Sequence, residues 1–125
     1  MKIAHFLAFK SIVSVTTGIL LVVISKPLMA FYGVQLDTSG VLMAQSAGAS
    51  LLGIGLICWL IRNANNQALL SITLALFICD TVGSVTSILA QTSGLFNSWG
   101  WGYVGAWLMF AIGNGYFRFF GLPSD

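Results

Sequence analysis

The chain has 125 residues, of which 58% are hydrophobic and only 6% are charged, whereas a soluble domain carries roughly 25% charged side chains. Five basic and three acidic residues cannot cover the surface of a water-soluble domain of this size, and the mean hydropathy is +0.95. The composition therefore predicts an integral membrane protein with a single transmembrane domain over residues 1–125.

The charge and the cysteine content exclude two kinds of site. The net charge of +2 is scattered along the chain, so no basic patch is present to pair with the phosphates of a nucleic acid. Cys58 and Cys79 are far apart in the sequence, which is unlike the close pairs of zinc and dithiol sites. We expect no nucleic-acid partner, no metal and no cofactor.

Four apolar stretches are long enough to cross a membrane, which takes about 20 residues of helix. These stretches are residues 3–25, 41–61, 68–90 and 99–120. Lys26 and Pro27 follow the first stretch, and Asp37 precedes the second as an expected helix N-cap. The pattern predicts an all-α fold, an integral membrane four-helix up-and-down bundle.

The first stretch has a second interpretation. Lys2 and Lys10 lie before or within an apolar run that ends near Leu28, Met29 and Ala30, which is the pattern of a cleaved secretory signal. We expect a permanent membrane helix, and the cleaved signal stays open as the alternative.

The basic residues predict the orientation. With four crossings, one side of the membrane collects Lys2, Lys10, Arg62 and Arg118, whereas the other side has only Lys26. Basic residues favour the cytoplasmic side. We therefore expect both termini in the cytoplasm and the chain in the cell inner (plasma) membrane, as a multi-pass protein.

Small residues recur at helical spacing, and such residues let helices approach closely in lipid. The predicted packing residues are Gly48 and Gly53 in the second helix, Gly83 in the third, and Gly102, Ala106 and Gly113 in the fourth. These motifs are common in membrane helices. They predict close contacts, either within the bundle or with another membrane protein.

Asp80 is an acidic residue near the middle of the third predicted helix, roughly 18 Å from its cytoplasmic end. A carboxylate at this depth costs a few kcal/mol on insertion scales, so it is expected to have a partner or a function. Similar depth estimates predict an intramembrane polar site around it, formed with Ser14, Thr17, Ser50 and, through its long side chain, Lys10.

Two interpretations of Asp80 stay open. A protonated or paired carboxyl group could hydrogen-bond the neighbouring helices and set their register, with Ser or Thr hydroxyls of the first or second helix as its nearest polar neighbours. Alternatively, the carboxyl group could hold a proton or a cation, or anchor a ligand. Lys10 either pairs with Asp80 or extends to the cytoplasmic surface. Asn114 is predicted about two turns from the cytoplasmic end, roughly level with Lys10, where it could bridge the fourth helix to the first.

Several segments resemble those of small bacterial four-helix membrane proteins. These segments are residues 27–34, Asp37 with Gly40, residues 47–56 and residues 59–62. On these residues the chain resembles the DoxX-like and DUF4345-type families, over nearly its whole length in layout. The resemblance implies the four-helix membrane fold and no established activity. It also implies a basic residue where this chain has Gln45, so no anion-binding role is expected at that position.

The sequence contains no complete catalytic set, because Asp80 has neither a histidine nor a second carboxylate at its predicted depth. We expect no catalytic residues and no enzyme activity. The interpretation that fits best is a non-catalytic structural or accessory subunit in a larger membrane complex. Its expected partners are membrane lipid and other membrane subunits or further copies of itself. The alternative is an oligomeric small-solute, proton or ion transporter that uses Asp80.

Overall fold

The computed structural model describes residues 2–123. These residues form five α-helices and a π-helical turn, and they contain no β-strand. The elements are α1 (Ile3–Val23), α2 (Ser25–Phe31), α3 (Thr38–Ile61), α4 (Asn66–Thr92), α5 (Gly100–Tyr116) and the π-helical turn Phe117–Gly121. Three of the helices, α1, α3 and α4, are long and apolar enough to cross a membrane. The prediction of an all-α membrane protein is confirmed at this level.

The chain divides into two compact units. One unit comprises residues 4–62 and contains α1, α2 and α3. The other comprises residues 63–123 together with residues 2 and 3, and it contains α4, α5 and the π-helical turn.

The first predicted helix is interrupted earlier than its sequence suggests. α1 ends at Val23, and α2 begins at Ser25 after a break at Ile24, where φ is −129° and ψ is 44°. Pro27 accounts for the break, because its ring crowds the carbonyl group four residues earlier, that of Val23, and offers it no N–H group. The stop therefore lies one turn before the proline.

Side-chain caps begin both of the next long helices. The Oδ1 atom of Asp37 accepts a hydrogen bond from the backbone N–H of Gly40 at 2.7 Å, which confirms the predicted cap of α3. The Oδ1 atom of Asn65 accepts one from the N–H of Ala68 at 2.9 Å at the start of α4. Each cap satisfies a backbone donor that has no partner within its helix.

Two glycines in the left-handed region end helices. Gly33 has φ 85° and follows α2, while Gly94 has φ 81° and follows α4. In both turns, the glycine N–H bonds the carbonyl three residues back, and the next N–H bonds the carbonyl five residues back. This is the Schellman arrangement, which favours glycine because a side chain at positive φ is strained.

In the unit of residues 4–62, α1 and α3 approach each other at glycines. A Cβ atom added to Gly18 would lie 2.7 Å from the carbonyl oxygen of Gly48, and one added to Gly48 would lie 2.7 Å from that of Gly18. A Cβ atom on Gly55 would lie 2.6 Å from Cγ2 of Val15. Small residues permit this backbone contact.

A side-chain hydrogen bond joins the same two helices. The Nε2 atom of Gln45 in α3 donates to the carbonyl oxygen of Val22 in α1 at 3.2 Å. The carbonyl of Val22 lies in the last turn of α1, where helix carbonyls lack partners within the helix.

In the unit of residues 63–123, α4 and α5 pack through aromatic side chains seated on glycines. The ring of Trp107 covers Gly83, and the ring of Phe77 covers Gly115, with 3.0 Å between Phe77 Cε2 and a Cβ atom added to that glycine. Phe77 also contacts Phe119 edge to face, with ring centroids 5.7 Å apart. Because later residues of α5 meet earlier residues of α4, these two helices are antiparallel.

The fourth predicted helix, residues 99–120, is present in two parts. α5 ends at Tyr116, and the chain continues as a π-helical turn to Gly121. The two parts are continuous, so residues 100–121 extend roughly 30 Å.

The remaining predicted packing residues differ in their surroundings. A Cβ atom added at Gly53 or Gly102 would have no described atom within 4 Å apart from its chain neighbours and the nearby backbone of its own helix. Ala106 and Gly113 are half-buried. Contacts at Gly53 and Gly102 therefore stay a prediction about partner helices.

The glycine contact between α1 and α3 predicts opposite effects for two matched substitutions. Gly48→Ala places a methyl group against backbone and should lower the free energy of unfolding by about 1–3 kcal/mol. Gly53→Ala adds the same group on the same helix in open space, and it should be neutral or stabilise by up to about 1 kcal/mol because alanine favours helix. Thermal unfolding in detergent micelles measures both, and equal effects would contradict the assignment of the contact.

Candidate functional site

The buried face of α4 is polar in its central part. Thr73, Asp80, Ser84 and Ser87 are all buried, at the spacing of one helix face. Asp80 is only 1% exposed. A side chain of this kind is excluded from both lipid and water, so its polar atoms need partners within the protein.

Asn114 of α5 is the partner that the structure places beside Asp80. Its Nδ2 atom donates to Oδ2 of Asp80 at 2.8 Å and to the carbonyl oxygen of Phe110 at 3.1 Å. Asn114 is fully buried. An amide nitrogen has two hydrogens, so both are used, and the pair links α4 to α5 at the level of Asp80.

The buried hydroxyl groups of α4 donate to their own helix. Ser84 Oγ bonds the carbonyl oxygen of Asp80 at 2.7 Å, and Ser87 Oγ bonds that of Ser84 at 2.9 Å. Thr73 Oγ1 bonds the carbonyl oxygen of Leu69 at 2.7 Å. A hydroxyl has one hydrogen. These three side chains can therefore offer only lone pairs to other groups.

One acceptor of the pair has no partner. The Oδ1 atom of Asn114 is buried and receives no hydrogen bond from any residue between 2 and 123. Rotating the amide by 180° would turn Oδ1 toward the carbonyl oxygen of Phe110, where two acceptors would meet, so the hydrogen bond to Phe110 determines the orientation of the amide. A buried acceptor without a donor costs about 1–3 kcal/mol.

The other predicted members of the polar site lie in the unit of residues 4–62. Lys10 and Ser14 of α1 are buried, being 3% and 5% exposed. Thr17 is half-buried and Ser50 is exposed. The hydroxyl of Ser50 donates to the carbonyl oxygen of Ser46 at 3.1 Å within α3. Its hydroxyl hydrogen is therefore already bonded, and Ser50 can face lipid.

Asn114 is the residue that the sequence analysis placed wrongly. Depth counted from the helix ends put Asn114 well short of Asp80 and paired it with the first helix. The estimate assumed that every helix spans the same thickness, but α4 has 27 residues and α5 has 17. The π-helical turn after α5 lies beside Phe77, not beside the start of α4, and this offset brings Asn114 level with Asp80.

The arrangement permits two kinds of chemistry. A carboxyl group bonded to an amide can hold two helices together as a buried polar contact. The same carboxyl group can hold a proton, and the open Oδ1 atom of Asn114 can accept a hydrogen bond. Within residues 2–123, no group of three or more His, Cys, Asp or Glu residues could hold a metal ion.

Comparison with protein-family models, with curated proteins and with solved structures finds no match for this chain. The resemblance to the DoxX-like and DUF4345-type families therefore stays a prediction.

The Asp80–Asn114 hydrogen bond can be tested by substitution. Asp80→Leu leaves an amide hydrogen of Asn114 without its acceptor and should lower the free energy of unfolding by about 1–3 kcal/mol. Asp80→Asn keeps an acceptor oxygen and should cost less. Thr81→Val is the matched control on α4, because Thr81 is exposed and its hydroxyl bonds only the carbonyl oxygen of Phe77.

A double-mutant cycle makes this test specific to the pair. The variant carrying Asp80→Leu and Asn114→Leu should be less destabilised than the sum of the two single variants, by a coupling energy of about 0.5–3 kcal/mol. Unfolding in bicelles, followed by far-ultraviolet circular dichroism, provides the free energies of unfolding of the unmodified protein and the three variants. Additive effects would show that the two side chains do not interact.

Proposed function

We propose that the protein is a non-catalytic membrane protein that acts as a structural or accessory subunit and packs against other membrane proteins or further copies of itself. The observation that carries this proposal is the surface of α3. Few of its residues are buried, namely Gly48, Gly55 and Cys58, although the helix is long enough to cross a membrane.

The exposed part of α3 carries small residues as well as large ones. Ala47, Ala49 and Gly53 are exposed, and nothing within the described residues lies near the Cβ position of Gly53. The exposed Ser46 and Ser50 have hydroxyl hydrogens bonded within the helix. A face of this composition allows the backbone of a second helix to approach closely, which is how membrane helices associate.

The buried Asp80–Asn114 pair supports a scaffold role. It links α4 and α5, and both side chains are buried within the protein, where solvent competes little with a hydrogen bond. A subunit that supports a complex needs helices held at a defined register.

Assembly and folding can be separated by two substitutions on α3. Gly53→Leu should leave the chain folded but should at least halve its recovery in a larger complex, because a bulky side chain would block the open face. Leu56→Ile, at an exposed position on the same helix, should change neither property. Size-exclusion chromatography after extraction in mild detergent measures the assembly, and circular dichroism measures the fold.

A single monodisperse species of one chain's mass, unchanged by Gly53→Leu, would contradict the proposal. Loss of helical signal in Gly53→Leu would instead place Gly53 in an internal contact.

We further propose that the chain crosses the cell inner (plasma) membrane four times in up-and-down order, with both termini in the cytoplasm. Continuous helical backbone over residues 100–121 supports a fourth crossing, because it extends roughly 30 Å, the thickness of the hydrocarbon core. The basic residues Arg62 and Arg118 support the orientation.

The topology predicts opposite accessibility for two exposed loop positions. Single cysteines at Asn63 and Ser98, in a variant that lacks Cys58 and Cys79, should react with a membrane-impermeant maleimide from opposite sides. Asn63→Cys should be labelled from the cytoplasm. Asn63 is chosen for the cysteine instead of the nearby Asn65, because the side chain of Asn65 caps α4. Labelling of both positions from one side would remove the four-crossing topology.

A second candidate function is an oligomeric transporter of a small solute, a proton or another ion. The unpartnered Oδ1 atom of Asn114 beside a buried carboxyl group supports this candidate, because transport sites keep polar groups at the membrane midplane. Asp80→Asn distinguishes the two functions. It should preserve assembly in a scaffold, whereas in a transporter it should abolish flux into proteoliposomes without unfolding the protein.

A further inference from the structure

Arg118 carries a positive charge that the described residues leave without a counter-charge. Its Nε atom is buried and makes no hydrogen bond. Within residues 2–123, its one recorded polar or aromatic interaction is with the ring of Phe119, 5.6 Å from the guanidinium carbon to the ring centroid. A ring face attracts a cation by about 0.5–2 kcal/mol, which does not replace a hydrogen-bonded anion.

The position of Arg118 along α4 makes a charge that has no counter-charge within residues 2–123 costly. Phe119 contacts Phe77, and Asn114, one helical turn earlier on α5, contacts Asp80. The first residue of α4, Asn66, lies roughly 16 Å from Phe77 along the helix. Arg118 therefore lies alongside α4 and not beyond its end, where a charge would be fully in water.

The length of α4 indicates how far Arg118 lies from the lipid headgroups. A helix of 27 residues is roughly 40 Å long, which exceeds a hydrocarbon core of about 30 Å. The first turns of α4 can therefore lie at the headgroups while Arg118 starts inside the hydrocarbon boundary. An arginine side chain at this depth extends toward the headgroups and brings its guanidinium group to the phosphate level.

The residues around Arg118 are suited to contact with lipid. Tyr116, Phe119 and Phe120 are exposed, the last by 82%. The rings of Tyr116 and Phe120 lie 6.5 Å apart with a tilt of 31°. Tyrosine favours the membrane interface, and phenylalanine suits the apolar side of a segment that lies there. The π-helical turn that carries Arg118 is a backbone form found frequently at functional sites.

The chemistry of the missing partner follows from that of the guanidinium group. Its N–H groups form a planar fork that matches the oxygens of a phosphate or carboxylate and is not matched by a neutral acceptor. At the boundary between hydrocarbon and headgroup, the abundant anion of this geometry is the lipid phosphate. A zwitterionic headgroup carries its own ammonium group, so a lipid with net negative charge should bind more strongly.

We propose that Arg118, with the exposed rings of Tyr116, Phe119 and Phe120, binds the phosphate headgroup of an anionic phospholipid at the membrane face where α4 begins and α5 ends. The guanidinium group bonds the phosphate oxygens, and the rings contact the upper part of the acyl chains. The residues of this site differ from the Asp80–Asn114 pair and from the exposed small residues of α3 around Gly53.

Arg62 supplies the matched control. It carries the same charge and belongs to a loop next to α4, but its guanidinium carbon lies 3.7 Å from the centroid of the Trp59 ring, and its Nη1 atom donates to the carbonyl oxygen of Trp59. Arg62 is therefore already partnered within the chain. Removing it tests the general effect of one positive charge.

The experiment compares thermal unfolding in nanodiscs of phosphatidylcholine with unfolding in nanodiscs that also contain phosphatidylglycerol. Phosphatidylglycerol should raise the Tm of the unmodified protein by about 4 °C or more. Arg118→Gln should lose most of this increase, whereas Arg62→Gln should retain it. Arg118→Lys, which keeps the charge without the planar fork, should retain part of it. Native mass spectrometry should count fewer bound phosphatidylglycerol molecules in Arg118→Gln than in Arg62→Gln.

Several results would overturn the proposal. An equal loss in Arg62→Gln and Arg118→Gln would assign the effect to net charge. Inorganic phosphate that reproduces the increase in pure phosphatidylcholine would assign the site to the free ion. If Arg118→Gln does not fold, Arg118→Lys and the lipid count of the unmodified protein still decide, because no preference for phosphatidylglycerol over phosphatidylcholine would exclude the site.

Discussion

The hydrocarbon interior of a membrane offers no hydrogen-bond partners, and this constraint accounts for most of the structure. Backbone N–H and C=O groups in such a solvent must bond within the chain, so the described residues are helical almost throughout. Side chains obey the same rule. The hydroxyl groups of Thr73, Ser84 and Ser87 donate to carbonyls of their own helix, which lets a helix carry polar residues on a buried face.

Asp80 cannot be satisfied in this way, because its Oδ2 atom acts as an acceptor and the carbonyl groups of its own helix have no hydrogen to donate. It needs a donor from elsewhere, and Asn114 of α5 supplies one. That hydrogen bond requires α4 and α5 to be close, and glycines permit the approach. Trp107 is seated on Gly83, and Phe77 on Gly115. A larger residue at either glycine would move the helices apart and separate the pair.

The functional proposals depend on polar groups that lack a partner within residues 2–123 and on small residues exposed at a helix surface. Within residues 2–123, the Oδ1 atom of Asn114 beside Asp80 is left without a donor. The face of α3 at Gly53 is open, and the guanidinium group of Arg118 has an aromatic neighbour and no recorded anion within residues 2–123. These features concern an internal acceptor, a helix surface and a membrane boundary. Each therefore points to a different class of partner.

The sequence by itself determined the helical class, the membrane environment and the approximate ends of the long helices, because each of these depends on local composition and period. It also predicted the burial of Asp80 and the cap at Asp37. Burial follows from the predicted depth of Asp80 in the membrane, where a carboxyl group needs a partner, and the cap follows from a short-range hydrogen bond. Gly48 was identified for the same reason, since small residues at helical spacing are visible in a single stretch of sequence.

Only the tertiary structure decided which residue meets Asp80, which glycines are covered and where Arg118 lies along α4. These features depend on how far α5 is shifted along α4, two helices of unequal length. The spacing of residues within one helix gives no information about that offset. It is determined by how Trp107 and Phe77 fit against glycines on the opposite helix. Gly53 and Gly48 have the same identity on the same helix, yet one is open and the other touches backbone, because contact depends on the neighbouring helix as well as on the residue.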